Sequence, residues 1–444
     1  MTHKPLRLTR RASMLLPLAA AGCQTLDEWF GDKKTPLSGA RVDILAVQRG
    51  LIVDNPAGRV VTLPPPVANA AWSQAGAEPS HAPGNLAVGR ALATQWSAKI
   101  GAPSGYRRKI TATPVVAGAQ VFAMDSAGEV SAYDRRSGAQ LWRTVTAQKD
   151  DRSTNVGGGI SLDGGTLFAA TGLAGLLALD AGTGKVRWRQ ALPAPARAAP
   201  TIVDEQLYVP TLDGQVLSIA KANGSRQWAY QGPVVSTSVL GLPSPAFADG
   251  LLVAGFGSGE LACLRAASGA VTWSDGLASG HGQSALLDIA AVTALPVIVE
   301  GRVYAVGLGG LFVSIDLRSG RRLWERQVAS QQTPWLAGDW LFVLTPDQLV
   351  GAVNRSDGAV AWVTQLPLWQ DEKKQEGPIG WIGPVLAGNR LILLGSNKEV
   401  LAVDPVTGKP GTRQTIDGAA AVAPAIAGDT LFVVTVDGTL LALH

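Results

Sequence analysis

The sequence is poor in the residues that most often build catalytic and metal centres. Its 444 residues include only two cysteines and four histidines. The histidines lie far apart in the chain and outside its repeated units, which argues against a histidine-based triad or a zinc cluster: His3, His81, His281 and His444. After Cys23 only Cys263 remains, so no disulfide can form within the fold. We expect Cys263 to be a small buried apolar side chain rather than a nucleophile.

Charge is also scarce, at 16% of residues, and it is balanced once the N-terminus is set aside. The first 22 residues carry four basic side chains and no acidic one. Subtracting them from 38 basic and 34 acidic residues leaves 34 of each. A chain without net charge lacks the basic footprint of a nucleic-acid-binding protein, so we expect no nucleic-acid partner.

The N-terminus contains a short apolar run that is too brief to span a bilayer. Residues 1–22 read as a secretory signal, with a basic start, the run "ASMLLPLAAAG" and small residues before Cys23. The stretch "LAAAGC" is similar to a bacterial lipobox, which predicts lipidation of Cys23; an ordinary signal with an incidental cysteine is the alternative. "TRRASML" resembles a twin-arginine signal, so the export route stays open. Gln24 rather than Asp after the cysteine favours the outer membrane.

A ten-residue pattern with a glycine turn and a terminal tryptophan recurs along the chain. "LDAGTGKVRW" ends at Trp188, and similar segments end at Trp142, Trp228, Trp273, Trp324 and Trp362. A seventh segment, "VDPVTGKPGT", has Thr412 in place of tryptophan. The spacings of 38 to 51 residues match one four-stranded propeller blade. Short apolar runs separated by turn residues fit strands, and no segment has a helical period.

The Gly-Thr-Gly-Lys in this pattern is not expected to bind phosphate. The residue after the second glycine varies among repeats, and Val186 stands where a phosphate loop needs Ser or Thr. Asp180 should instead cap the turn and Gly184 should supply its positive φ. The tryptophan should fill the gap between neighbouring blades.

The ends of the chain complete one another. The last repeat stops after three strands, while an isolated Trp96 lies 46 residues before Trp142. We therefore predict an all-β fold: an eight-bladed β-propeller of four-stranded antiparallel blades, closed by an N-terminal strand that completes the last blade. The predicted divisions are a signal at 1–22, a Pro/Ala/Gly-rich tether at 23–84 that is ordered where Trp72 could pack, and the propeller at 85–444.

Two insertions interrupt the repeats, at residues 274–294 and 365–381. Long loops on one face of a repeat protein often form its binding face, although exposed insertions can also be merely tolerated. The acidic pairs Asp150-Asp151 and Asp371-Glu372 lie in such loop-like stretches and read as solvated surface. No catalytic, cofactor-binding or metal-binding set of residues emerges.

The repeat resembles the pyrroloquinoline-quinone-type propeller repeat over residues 96–444. Two families share it, the quinoprotein dehydrogenases and the BamB lipoproteins of outer-membrane protein assembly. The lipobox and the stretch Leu295–Arg326 favour the BamB family. The chain cannot form the adjacent-cysteine disulfide that is usual in the dehydrogenases, and no calcium ligands can be placed. A periplasmic sensor or binding module stays the second alternative, and a quinone-dependent dehydrogenase the third.

Resemblance to the BamB family implies a non-enzymatic scaffold without cofactor, lipid-anchored on the periplasmic face of the outer membrane. Its partners would be a POTRA repeat of the BamA insertase, other subunits of the complex and nascent outer-membrane proteins. The stretch that matches the family's docking loop is 236–245, where Val239 and Leu240 keep its apolar character without its arginine. The next insertion contributes Leu286, Leu287 and Asp288, a weaker acidic pattern than the family's. These five residues are the predicted partner contacts.

Overall fold

Eight four-stranded antiparallel sheets and one two-stranded hairpin make up the described part of the protein. The computed structural model describes residues 50–54, 59–148, 157–235, 241–278 and 290–444, and none of these residues is helical. Accordingly, no helix in these ranges has the length and hydropathy needed to cross a membrane. The predicted all-β, eight-bladed architecture is confirmed.

Each blade is a meander in which consecutive strands pair, from the first strand at the centre of the ring to the fourth at its rim. Strand β1 is Thr94–Lys99. Blades 1 to 3 comprise β2 Val115–Ala117, β3 Gln120–Met124, β4 Val130–Asp134, β5 Gln140–Thr144; β6 Gly158–Asp163, β7 Thr166–Thr171, β8 Gly175–Asp180, β9 Val186–Ala191; β10 Thr201–Val203, β11 Gln206–Pro210, β12 Gln215–Ala220, β13 Arg226–Gln231. Blades 4 to 6 comprise β14 Ala246–Ala248, β15 Leu251–Gly255, β16 Glu260–Arg265, β17 Val271–Gly276; β18 Val297–Val299, β19 Arg302–Val306, β20 Phe312–Asp316, β21 Arg322–Arg326; β22 Trp335–Ala337, β23 Trp340–Leu344, β24 Leu349–Asn354, β25 Val360–Gln365. The hairpin is β26 Trp369–Asp371 and β27 Glu376–Pro378; blades 7 and 8 comprise β28 Trp381–Ala387, β29 Arg390–Gly395, β30 Glu399–Val403, β31 Pro410–Thr415, and β32 Ala425–Ala427, β33 Thr430–Val434, β34 Thr439–Leu443 with β1.

Both ends of the chain close the ring in one sheet. Strand β1 pairs antiparallel with β34, and Trp96 lies opposite Ala442. Ala93 and His444 extend the pairing with two reciprocal backbone hydrogen bonds of 2.9 Å. Closure of this kind leaves no open gap between the first and last blades. The N-terminal strand therefore completes the eighth blade, as the sequence predicts.

Burial differs between the inner and outer strands of a blade. In blade 2, residues 176–179 of β8 are all buried, whereas β9 alternates between exposed and half-buried residues. The middle strands are covered on both faces by neighbouring blades, which explains why they read as continuous apolar runs. The outer strand has one face toward solvent, so it tolerates polar residues at alternate positions.

The recurring glycine and tryptophan meet across each interface between blades. The Trp188 indole Nε1–H donates to the Lys221 carbonyl in the turn of the next blade at 3.1 Å. Six other blade tryptophans make the same bond at 2.7–2.9 Å: Trp96, Trp142, Trp228, Trp273, Trp324 and Trp362. The indole also lies against the turn glycine of that next blade. A Cβ on Gly184, for example, would stand 2.5 Å from the Trp142 ring.

Ring closure explains why the seventh repeat lacks its tryptophan. In the other blades the tryptophan bonds to the turn between the third and fourth strands of the next blade. In blade 8 those strands are β34 and β1, which come from opposite ends of the chain and have no connecting turn. The strand that carries Thr412 therefore has no such turn to face. It contacts the N-terminal segment instead, where the Gln414 side-chain amide donates to the Leu92 carbonyl.

Cys263 occupies a position that holds a small side chain in every blade with a terminal tryptophan. It pairs with Trp273 on the next strand, and the equivalent partners of the other blade tryptophans are alanine or serine: Ala132, Ala178, Ser218, Ser314, Ala352 and Ala442. Its side chain is fully buried, and this burial raises the pKa of the thiol to about 12. The prediction that Cys263 is a small buried side chain is confirmed.

Candidate partner-binding face

The two faces of the ring carry different connections. The tight turns between the first and second strands of every blade, and between the third and fourth strands of blades 1 to 7, lie on one side, which we call the turn face. The connections between blades lie on the opposite side, which we call the mouth face; its fully described connections are 100–114, 192–200, 327–334, 366–380 and 416–424. First strands of adjacent blades contact one another around the centre. The first strands therefore surround a central space, which we call the channel.

Residues 69–89, which we call the strap, run once around the inside of the ring. The strap exchanges hydrogen bonds of 2.7–3.2 Å with every blade in turn, through these partners in blades 1 to 8: Val116, Leu162, Ile202, Phe247, Ile298, Trp335, Leu386 and Asp429. Most of these partners are backbone groups of first strands. The strap thereby satisfies polar groups on the innermost strands, which have no further strand to pair with.

Aromatic and imidazole side chains hold the strap in the channel. Trp72 is 3% exposed and stacks on Trp335 of blade 6, with ring centroids 6.4 Å apart and planes 20° from parallel. His81 is buried, and its Nδ1–H donates to the Pro296 carbonyl at 2.7 Å. Burial lowers the pKa of His81 to about 4, against the opposing effect of that hydrogen bond. The ring is therefore neutral at physiological pH.

A cavity of about 680 Å³ occupies the channel on the mouth side of the strap. The strap forms part of its wall with Trp72, Gly76 and His81. Much of the remaining wall comes from residues just before the first strands, among them Thr111, Arg197, Gln332 and Pro334. Apolar and uncharged polar groups dominate the wall, with Lys109 and Arg197 as its cations.

The predicted docking residues fall outside the described residues. Val239 and Leu240 belong to 236–240, and Leu286, Leu287 and Asp288 belong to 279–289, as does His281. The described residues that flank these segments reach the channel, since Gly241, Leu242 and Thr293 line its cavity. Val234, just before the first segment, is 75% exposed. These described neighbours of the two segments therefore lie at the mouth face.

The insertion at 365–381 is built around the β26–β27 hairpin on the same face. Its acidic side chains cap backbone groups of the hairpin itself. Asp371 accepts the N–H groups of Lys373 and Lys374 at 3.0 and 3.1 Å, and Glu372 accepts that of Leu368 at 3.1 Å. These local bonds give the carboxylates a structural role in shaping the loop. The other acidic pair, Asp150-Asp151, lies outside the described residues.

The repeat turn also has a structural role. Asp180 accepts the Thr183 N–H at 2.9 Å, and Gly184 has a φ of 71°. The Arg187 guanidinium, together with the bonds from Thr183, lowers the pKa of the Asp180 carboxyl to about 2. Asp180 and Gly184 therefore do what the sequence predicts. Among the residues that the structure describes, no three His, Cys, Asp or Glu side chains are grouped closely enough to hold a metal ion.

Sequence reasoning missed the strap. Most of the strap falls within the stretch 23–84 that the sequence predicts to be a tether, and residues 59–84 lie in the same compact unit as the blades. The strap forms no regular strand or helix as it crosses the eight blades. Its sequence therefore has no repeat and no strand or helix period. Trp72 and the isolated His81 were its only sequence signals.

Fold and site together define a class: a ring of eight propeller blades whose interfaces are built on glycine–tryptophan pairs. A protein-family model described as "Outer membrane protein assembly factor BamB" matches residues 126–364 and 366–444. The chain belongs to the BamB family.

Individual relatives agree with this assignment. BamB from Burkholderia pseudomallei is 30% identical over 355 residues, which cover 77% of this chain and 85% of the relative. BamB from Yersinia pestis and from Escherichia coli K12 are each 25% identical, covering 78% and 79% of this chain and 87% and 88% of theirs.

Solved structures support the fold. BamB from Moraxella catarrhalis superposes with a TM-score of 0.64 at 20% identity, covering 79% of this chain and all of that one. Quinohemoprotein alcohol dehydrogenase from Comamonas testosteroni gives 0.63 at 13% identity, covering 84% and 80%. The same ring thus occurs in an assembly factor and in an enzyme, so the fold alone does not decide between the two functions.

Proposed function

We propose that the protein is a non-catalytic scaffold subunit of the machinery that folds and inserts outer-membrane β-barrel proteins. The observation that carries the proposal is membership of the BamB family over most of the chain. Cys23 would carry the lipid that holds the protein on the periplasmic face of the outer membrane. The insertase BamA would be the main partner, bound through a POTRA repeat, with other subunits and nascent outer-membrane proteins as further partners.

The mouth face is the docking side in this proposal. It carries the described residues next to both segments with predicted contacts, Val239 and Leu240 in one and Leu286, Leu287 and Asp288 in the other. Val234 adds an exposed apolar side chain beside the first segment. Exposed apolar residues at a fixed rim are typical of a protein interface. The apolar side chains of Val239 and Leu240 would contribute most of the binding energy, because this segment has no arginine.

A scaffold role also fits the chemistry of the described residues. Asp180 and its equivalents cap turns, His81 is neutral and buried, and Cys263 packs under a tryptophan. Each of these groups already has a structural role in the fold. The dehydrogenase alternative is favoured only by the shared ring architecture.

Affinity purification of the full-length lipoprotein from gently solubilised membranes tests the proposal. We expect the POTRA-bearing insertase to co-purify, and Val239→Asp combined with Leu240→Asp to abolish its recovery. Val271→Asp is the matched control, because Val271 is 50% exposed on the outer strand of blade 4. Absence of the insertase from the wild-type preparation would contradict the proposal. Equal loss with the control variant would contradict the assigned docking segment.

A further inference from the structure

A basic loop stands on the mouth face between the last and first blades. This loop, residues 101–110, joins β1 in blade 8 to β2 in blade 1. Its sequence "GAPSGYRRKI" places Tyr106 next to three consecutive cations, Arg107, Arg108 and Lys109. We call it the basic loop. Nothing in the repeat pattern requires it, since connections between other blades lack such a cluster.

Both neighbouring blades fix the base of the basic loop. The Ala102 N–H donates to Asp125 Oδ2 at 2.7 Å, and the Ser126 hydroxyl donates to the Pro103 carbonyl at 2.7 Å. On the side of blade 8, the Ser104 N–H donates to the Val436 carbonyl at 2.7 Å. Asp125 and Ser126 are buried, so these bonds are shielded from water. The tip therefore projects from a firmly held base.

The tip is a tight turn that turns its side chains outward. The Gly105 N–H donates to the Arg108 carbonyl at 2.6 Å and closes the turn. Tyr106 is 97% exposed, and Arg107, Arg108 and Lys109 are exposed as well. Lys109 also lines the channel cavity.

No ion pair or side-chain hydrogen bond involves these three cations within the described ranges. Elsewhere in those ranges many cations have a carboxylate partner, for example Arg143 with Glu129 and Lys99 with Asp437. Three adjacent like charges repel one another, and bound carboxylates would relieve that repulsion. Arginine in particular can donate two parallel hydrogen bonds to one carboxylate.

We propose that the basic loop binds an acidic segment of a partner protein. Arg107 and Arg108 would hold carboxylates, and Tyr106 would pack on the same segment, as tyrosine commonly does at interfaces. Lys109 at the rim would draw the segment toward the channel. This contact is separate from the one assigned to 236–240, and its test does not depend on that one.

The exposed tyrosine favours a protein over a membrane surface as the occupant. Tyr106 is 97% exposed beside the three cations, and tyrosine is enriched at protein interfaces. An acidic protein segment would match both the charge and the aromatic ring of the loop.

Fluorescence anisotropy with a labelled deca-glutamate peptide tests the inference on the purified protein. We expect binding that weakens with added salt and exceeds binding of a deca-serine peptide. Arg107→Glu with Arg108→Glu should weaken it by about tenfold or more, and Tyr106→Ala by a smaller factor. Arg318→Glu with Arg321→Glu is the matched control, since both arginines are exposed in a turn of blade 5 on the turn face.

Three outcomes would overturn the inference. One is wild-type binding no stronger than to the serine peptide, and another is equal weakening by the control pair. The third is binding to vesicles of phosphatidylethanolamine and phosphatidylglycerol that the Arg107 and Arg108 changes abolish while peptide binding persists. That result would assign the loop to a lipid surface. Unchanged unfolding midpoints of the variants would show that each remains folded.

Discussion

At the scale of single residues, the fold rests on pairs formed between neighbouring blades. The turn glycines have φ values of 71–75°, and a Cβ at any of them would stand 2.5–2.9 Å from the preceding blade's tryptophan: Gly138, Gly184, Gly224, Gly269, Gly320, Gly358 and Gly408. Each glycine is thus required twice, once by the backbone conformation and once by the indole. The sequence pattern predicted the positive φ of the glycine. The recurring tryptophan also predicted a contact between neighbouring blades.

Gly184→Ala should destabilise the protein more than an ordinary turn substitution. The left-handed backbone costs about 1–2 kcal/mol for a non-glycine residue, and overpacking against Trp142 adds about 1–3 kcal/mol. We expect a clear fall in the urea concentration at the midpoint of unfolding, with unfolding monitored by tryptophan fluorescence.

Gly164→Ala is the control for that experiment. Gly164 also has a positive φ, of 50°, but nothing lies within 4 Å of a Cβ there. Only the backbone cost should remain. Equal effects of the two substitutions would contradict the claim that the indole occupies the space beside Gly184.

Cys263 shows what residue-scale reasoning could and could not provide. Its burial was expected because it has no cysteine partner within the fold, and that prediction is confirmed. Its equivalence to Ala132 and Ser218 could not be read beforehand, because it depends on the pairing of β16 with β17. Register within a blade is set by turns and bulges, and the bulge beside Cys263 shifts that register.

At the scale of elements, strands were predictable and the strap was not. Each strand has its own apolar run and flanking turn, so its pattern is local. The strap has neither, because eight blades supply its hydrogen-bond partners one after another. Its structure is thus determined by the ring that surrounds it, which no window of the sequence contains.

Stability should depend on pH through His81 in the strap. Its pKa is about 4 in the folded protein and 6.5 when exposed, so the unfolded chain binds more protons between these values. The stabilising contribution of the neutral ring is complete above pH 6.5 and is lost as the pH falls toward 4. The difference of about 2.5 pH units corresponds to about 3 kcal/mol.

Comparison with His81→Asn isolates this effect. Asparagine does not titrate and tolerates the positive φ of 60° at this position. We expect the free energy of unfolding of the wild type, measured against that of the variant, to fall by about 3 kcal/mol between pH 7 and pH 4. A constant difference across that range would show that the imidazole titrates normally and is not buried in the channel wall.

At the scale of the whole molecule, the ring could be predicted because its repeats are countable. The ends of seven repeats and an isolated Trp96 predicted eight blades, and the structure has eight. The contacts of a partner could not be predicted in the same way. The predicted contacts lie in connections whose sequence is not repeated. The prediction of Val239 and Leu240 therefore depends on family resemblance alone.

Attachment to the membrane is a prediction about the whole molecule that rests on one thiol. Cys23→Ser should abolish incorporation of labelled fatty acid and release the protein from the membrane fraction. Cys263→Ser is the control, since serine occupies the equivalent position in two other blades and the protein should stay lipidated and folded. Lipid incorporation that persists in Cys23→Ser would contradict anchoring at this residue.

The proposed role in barrel assembly is tested most directly in the organism that encodes the protein. We would delete the gene and measure the amounts of folded β-barrel proteins in the outer membrane, with and without complementation. The account predicts reduced barrel content, restored by the wild type and by Val271→Asp but not by the Val239→Asp and Leu240→Asp double variant. Unchanged barrel content after deletion, or full restoration by the double variant, would contradict it.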